Sequence, residues 1–319
     1  MTALSILVPI YNVEPYLAQC LKSIQQQTFE DFEVLCINDG STDGSLAIIE
    51  EFIKLDNRFK VIDKKNTGYG HSMNVGLAHC SGDYVGIVES DDFIEPDMFD
   101  ILIALAQQHD LDIARCNYFL FDQHGKIKKD LSYLPTDKVV HPLDYPKIFY
   151  QAPSVWANLY RHTFLTENHI RFLETPGASY QDTSFVFKAY ALCLRFMFVD
   201  KPLLNYRKDN AHSSSNSGDK VFCVCDEYRE ILRFCKQHNA VYQALKFHIP
   251  MLRFKCYSWN FARIDTAHKL PFLKAWRDDI TLDFKEKRIN RHYISTNKLK
   301  KMMLIRFLPI WYRDRVKGL

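Results

Sequence analysis

Asp83-Tyr84-Val85-Gly86-Ile87-Val88-Glu89-Ser90-Asp91-Asp92-Phe93-Ile94-Glu95 is the stretch on which the fold of this 319-residue chain turns. Tyr84 to Val88 is a short apolar, β-branched run, which predicts a buried strand. It leads straight into Glu89, Ser90, Asp91 and Asp92. Three carboxylates within four residues repel one another, and burying them without a partner is costly. A hard divalent cation that itself carries a phosphorylated ligand meets that need. The plain alternative is an acidic turn ahead of a helix starting near Pro96. The position favours the cation, because open α/β sheets bind ligands at the carboxyl ends of their strands.

The flanking sequence repeats the same alternation. Leu4 to Ile10 is a β-rich run, followed by a helix from Glu14-Pro15 with Leu17, Leu21 and Ile24 on one face. Phe32 to Ile37 is a second strand. It ends in Asn38-Asp39-Gly40-Ser41-Thr42-Asp43-Gly44 and a helix carrying Leu46, Ile49, Phe52 and Ile53. Phe59 to Ile62 is a third strand, with a helix from about His71 to Cys80 before the quoted stretch. A helix from Pro96 to Gln108 and a strand from Leu111 to Phe121 follow it. Such alternation predicts an α/β fold, a Rossmann-like, mostly parallel sheet flanked by helices. All the polar strand-to-helix turns then share one sheet edge, where a nucleotide can lie across them.

Composition bounds the rest. The apolar fraction of 47% and charged fraction of 25% are those of a folded globular chain. No stretch approaches the roughly 20 apolar residues that span a bilayer. Nine cysteines lack any Cys-x-x-Cys pair, and no secretory leader is evident. Reduced thiols, no structural zinc and a cytoplasmic location are expected. Net charge is only +3, but residues 285–319 hold eleven Lys and Arg against Glu286 and Asp314. That asymmetry points to a basic tail working at an anionic surface. No nucleic-acid partner is expected, and oligomer formation is left open.

Several segments in order resemble a family 2 glycosyltransferase of the GT-A fold. They are Ser5-Ile6-Leu7-Val8-Pro9-Ile10-Tyr11-Asn12, Glu33-Val34-Leu35-Cys36-Ile37-Asn38-Asp39-Gly40-Ser41-Thr42-Asp43, and Asn74-Val75-Gly76-Leu77-Ala78 through Gly82-Asp83-Tyr84 to Ser90-Asp91-Asp92. The likeness covers residues 4 to about 120 and continues more loosely through Val155–Arg161, Gln181-Asp182 and Tyr206-Arg207. It implies a nucleotide-sugar donor and a bound Mn²⁺ or Mg²⁺ that neutralises the departing diphosphate. By resemblance Asp92 holds the metal, and Asp91 touches the ribose or the metal's water shell. Asp39 accepts the uracil N3–H, although capping the next helix is the alternative. Pro9, Tyr11 and Glu14 frame the base and ribose. Gly68 and Gly70 let backbone approach the diphosphate. Many members carry Ala-Arg-Asn before the glycine of this helix. Here the triplet is Ser72-Met73-Asn74, so Lys65 or His71 is expected to meet phosphate beside Asn74.

The second half should supply the base that takes the acceptor's proton. The family presents it in a Glu-Asp pair at a helix start. This chain has Tyr180-Gln181-Asp182 ahead of a helix running to Leu194, so Asp182 is the candidate, an ordinary N-cap being the alternative. Farther on, His212 could complete the metal site, and Arg207 could grip the diphosphate. Both lie in a polar loop, Arg207 to Asp219, that reads as a lid. Trp156 is either core or a sugar-stacking platform. Residues 1–219 are expected to form the catalytic domain, divided near 121/122 into nucleotide-binding and acceptor-binding halves. Residues 220–319 are expected to form a helical extension. Its tail, with Met302, Leu304, Phe307, Trp311 and Tyr312 among the basic residues, reads as an interfacial helix interrupted at Pro309, or as one packed on the catalytic domain.

The reading is an inverting, metal-dependent transfer of a hexose or N-acetylhexosamine from a UDP-sugar to a glycan or lipid-linked hydroxyl. It gives a β-linkage in bacterial surface polysaccharide or lipopolysaccharide synthesis. A nucleotidyltransferase and a non-catalytic sugar-nucleotide-binding protein are the rivals.

Overall fold

The computed structural model describes residues 2–210 and 221–315. The chain divides into two compact units, Met1–Ala211 and His212–Leu319. The division falls inside the polar loop that the sequence placed at the end of the catalytic domain.

The first unit opens with β1 (Leu4–Ile10), α1 (Glu14–Gln25), β2 (Phe32–Asn38), α2 (Ser45–Leu55), β3 (Phe59–Asp63), α3 (Tyr69–His79) and β4 (Tyr84–Ile87). Every residue of β1 and β2 is buried, so these strands have no solvent-exposed face and need helices on both sides. The four strands lie in the order β3-β2-β1-β4, all parallel. The first two crossovers step outward with α1 and α2. The third steps back across β2 and β1, and right-handed connection then puts α3 on the opposite face. Accordingly α3 packs on β1 and β2, while α1 packs against α2. The direction reverses between β1 and β4, which opens a crevice at their carboxyl ends. The loop after β1 and the acids after β4 flank that crevice.

The unit continues with β5 (Phe93–Ile94), α4 (Met98–Gln108), β6 (Ile113–Asp122), β7 (Gly125–Lys128), β8 (Asn158–Arg161), α5 (His162–Glu167), α6 (Gln181–Leu192) and β9 (Phe196–Arg207). β8 runs antiparallel between β4 and β6, β9 is parallel to β6, and β5 closes the sheet edge antiparallel to β9. β7 forms a hairpin with β6, within the connector that the sequence marked as a surface hairpin or loop. Residues 154–160 are a single-turn 3-10 helix, Val155–Ala157, followed by β8. Trp156 is core there: its ring stacks on Tyr206 at 5.2 Å and meets Tyr118 edge-on at 4.8 Å. α6 is buried on nearly every side, with Phe185 stacked on Phe172.

The second unit is helical: α7 (Cys223–Gln237), α8 (Asn239–Leu245), α9 (Ile249–Arg263), α10 (Thr266–Lys285), α11 (Thr296–Phe307) and α12 (Pro309–Arg315). Its core centres on Trp276 among Phe254, Tyr257 and Phe272. The helix interrupted at Pro309 is observed as the break between α11 and α12. None of the nine cysteines, all among the described residues, is joined in a disulfide. Among the described residues no helix is long and apolar enough to cross a membrane.

Candidate active site

Side chains staple the loops at the strand ends to one another. Asn12, in the left-handed region at φ 49°, donates its backbone N–H to Ser41 Oγ, and its side-chain oxygen accepts the Thr42 N–H at 2.7 Å. The Glu14 carboxylate accepts the Gly44 N–H at 2.8 Å, at the positive end of α2. Pro9 is buried in β1, while Tyr11 stands 53% exposed beyond it, its ring free to stack. Asp39 is buried at the end of β2. Its oxygens accept the N–H groups of Thr67 and Gly68, both at 2.9 Å, and the Lys64 ammonium. Lys64 therefore serves this acid, and Lys65, the residue expected to meet phosphate, is exposed.

Gly68 and Gly70 admit a protein segment, a correction to the diphosphate role read from the sequence. Gly68 has φ 93°, and a Cβ there would lie 2.9 Å from the Gly177 nitrogen. A Cβ on Gly70 would lie 2.1 Å from the Leu173 carbonyl oxygen. The Tyr69 N–H donates to the Gly177 carbonyl at 2.9 Å. Asn74 is likewise committed to this segment. Its amide nitrogen donates to the Phe172 carbonyl and to Glu174, and its oxygen accepts the Phe172 N–H. His71 contacts the Glu174 carboxylate at 3.2 Å. The start of α3 thus anchors the loop that leads into α6. Gly70→Ala is expected to displace that loop and destabilise the protein by about 1–3 kcal/mol, measurable by denaturant unfolding.

The acids after β4 differ sharply in their surroundings. Asp92 is 1% exposed. One oxygen accepts the Arg207 backbone N–H at 2.8 Å, and the other, Oδ2, has no hydrogen-bond partner among the described residues. Burial and the neighbouring Asp91 push its carboxyl well above the ordinary range. Glu33 shows the opposite outcome for a buried acid. Burial raises it, but bonds from Lys60, Ser81 and Ser5 outweigh that and hold it at about 2. Asp91 is steadied by the Asn210 amide at 2.8 Å. Glu89 accepts the Tyr69 hydroxyl at 2.7 Å, yet burial, with Asp91 and Asp182 nearby, lifts it to about 8.

Arg207 is also placed differently from the sequence expectation. Its guanidinium bonds the Asp91 carbonyl and Gln19 and lies over the Tyr16 ring at 4.8 Å. The residue positions both aspartates instead of reaching outward. His212 lies outside the described residues.

Asp182 is the second residue of α6, whose N-cap Tyr180 lies in the left-handed region at φ 66°. Asp182 therefore lies inside the first turn and not at the cap. Burial lifts its carboxyl to about 7, against bonds from Thr183. Its charge is one of those raising Glu89, so base candidate and donor-side acids share one field. Gln181 is buried and organises the preceding loop: its oxygen accepts the Ser179 N–H, and its nitrogen donates to Thr175 and the Gly177 carbonyl. A glutamate could not make the donating bonds, which accounts for Gln at this position.

Among the described residues no three His, Cys, Asp or Glu side chains converge as a metal cluster. The orphaned Oδ2 of Asp92 is nevertheless a hard, buried anionic donor, and it fits a single-carboxylate attachment of Mg²⁺ or Mn²⁺ completed by water and phosphate.

A sequence model described as Glycosyl transferase family 2 matches residues 5–198, which holds both Asp92 and Asp182. The chain belongs to glycosyl transferase family 2. EpsH of Bacillus subtilis (strain 168), which bears the name of a glycosyltransferase, is 34% identical over 211 residues. That match covers 64% of this chain and 60% of EpsH. The family 2 chain also superposes on S. aureus TarS residues 1–349, solved with UDP-GlcNAc, at a TM-score of 0.75 and 23% identity. The superposition covers 98% of this chain and 89% of that one. The mannosyltransferase PcManGT from Pyrobaculum calidifontis, solved with GDP-Man and Mn²⁺, gives 0.51 at 15% identity, covering 99% and 88%. These likenesses establish the GT-A fold expected from the sequence.

Proposed function

We propose that this chain is an inverting glycosyltransferase that moves a hexose or N-acetylhexosamine from a UDP-sugar to a hydroxyl of a glycan or lipid-linked acceptor. The observation that carries the reading is Asp182. It is a carboxylate in the first turn of α6, one residue past the helix start, and burial raises it to about 7, which suits a general base at neutral pH. In this reading Asp182 takes the acceptor hydroxyl's proton as that oxygen attacks the anomeric carbon from the face opposite the diphosphate. Attack from that face converts an α-linked donor to a β-linked product.

On the donor side, Asp39, with its oxygens partly occupied by Lys64 and the loop amides, offers a remaining lone pair to uracil N3–H. The exposed Tyr11 ring covers the base, and Asp91, held by Asn210, meets the ribose. Asp92 Oδ2 would hold Mn²⁺ or Mg²⁺, which when bound offsets charge growing on the leaving diphosphate. The UDP-GlcNAc in the TarS structure and the Mn²⁺ in the PcManGT structure support this assignment by fold analogy. We read the acceptor as part of a surface polysaccharide or lipopolysaccharide and place the enzyme at the cytoplasmic face of the membrane, with the basic tail touching anionic lipid.

A hydrolysis screen with UDP-, GDP- and CDP-sugars in Mn²⁺ tests the donor. UDP release from a UDP-hexose or UDP-N-acetylhexosamine is expected. Turnover confined to GDP- or CDP-sugars would overturn the assignment of Asp39.

A further inference from the structure

The helical unit contains a cleft of about 690 Å³, within the range of small-ligand sites. Phe284 at the end of α10, Ile289, and Leu299, Met303, Leu304 and Phe307 of α11 make it strongly apolar. Arg291 and Lys300 also line it. On its other face α11 buries Met302 and Ile305, so the helix is apolar on two sides, one of them open. Lys298, Lys300, Lys301 and Arg306 are the charges of α11, which has no acidic residue. Beside the cleft Phe307, Leu308, Ile310 and Trp311 form an exposed apolar ridge, each between 43% and 61% accessible. Arginines stack on it: Arg306 lies over Phe307 at 5.0 Å and Arg315 over Trp311 at 4.8 Å.

We propose that this cleft takes an acyl chain of an anionic phospholipid, with the phosphate met by Arg291 and Lys300 and the aromatic ridge lying in the headgroup layer. Charge selects this occupant. Two copies of the chain meeting through this face would bring together two acid-free α11 helices, which repel. A sugar or nucleotide would find few polar groups in the cleft. An acidic helix could fill the cleft but would leave the Phe307–Trp311 ridge in water, whereas a lipid surface covers both. Aromatic and Arg side chains around an apolar face are the composition of an interfacial element. The inference deepens the membrane contact proposed above and does not depend on the transfer reaction.

The test is co-sedimentation of the full chain with equimolar phosphatidylglycerol/phosphatidylcholine vesicles and with pure phosphatidylcholine vesicles. Donor turnover is measured separately, so either reading can fail alone. Binding is expected to the anionic vesicles and to weaken with salt. Met303→Asp and Phe307→Asp, both at exposed positions, should weaken it at least about tenfold with circular dichroism unchanged. Lyso-phosphatidylglycerol below its micelle concentration should bind, and glycerol phosphate should not. Equal binding of the Asp variants, equal binding to neutral vesicles, or glycerol phosphate binding as well as the lysolipid would overturn the proposal. So would an oligomer in sedimentation velocity that Phe307→Asp dissociates while wild-type chain ignores vesicles, because the cleft would then join copies.

Discussion

Asp182→Asn is expected to lower kcat by about 10²–10⁴, the usual contribution of a positioned general base, with little change in donor KM. The donor-side groups belong to the loops after β1, β2 and β4, whereas Asp182 enters from α6, so removing its charge leaves nucleotide contacts in place. The same carboxyl should set the pH profile. Burial raises it to about 7, and only the ionised form accepts a proton. The rate should therefore climb about tenfold per pH unit below 7 and level off above it. In the Asn variant that limb should vanish from the residual rate. Stopped assays of UDP release across pH 5–9 would show both effects. An unchanged kcat, or a limb that persists in the variant, would remove Asp182 from the reaction.

The second large effect is expected at Asp92. Asp92→Asn replaces the orphaned Oδ2 by an amide, a poor ligand for a hard cation, and a loss of about 10²–10³ in kcat should follow. Stability should move the opposite way. In chelator the wild-type protein buries an acid whose ionised form has only one backbone bond, and the neutral amide removes that cost. A higher Tm for the variant in EDTA is expected, together with loss of the Tm increase that Mn²⁺ plus UDP gives the wild type. A variant less stable in EDTA and still shifted by Mn²⁺ would show that the cation is held elsewhere.

Much of this architecture could be read from the chain because its strands are buried on both faces and its helices are amphipathic. Leu4–Ile10 and Phe32–Asn38 are mostly apolar runs, interrupted only by Ser5, Glu33 and the terminal Asn38, and the acids stand out against Tyr84–Ile87. What could not be read depends on contacts between residues far apart in sequence. Which of two consecutive lysines turns to Asp39 is a matter of side-chain parity at a strand end, and parity is lost once β3 finishes at Asp63. Gly68 and Gly70 looked like phosphate-loop glycines because their partner backbone lies about a hundred residues on, at Leu173 and Gly177. Arg207, at the start of a polar loop, suggested an outward grip on the diphosphate, yet its own amide and its packing on Tyr16 give it work inside the fold. β5, two residues long, carries no periodic signal at all.

That short strand has a consequence for how the protein is made. Phe93 and Ile94 pair in register with Asn205 and Leu204 of β9, and Asp92 depends on the backbone N–H of Arg207. A nascent chain can assemble β1 to β4 and α1 to α3 soon after they leave the ribosome, since those contacts are comparatively local. Its acidic segment nonetheless lacks its final shape until β9 has emerged and paired. The donor half should therefore be made early as a scaffold and late as a site. A fragment ending before residue 204 would keep its sheet without a working acid, and adding the missing piece in trans would be the direct way to complete it.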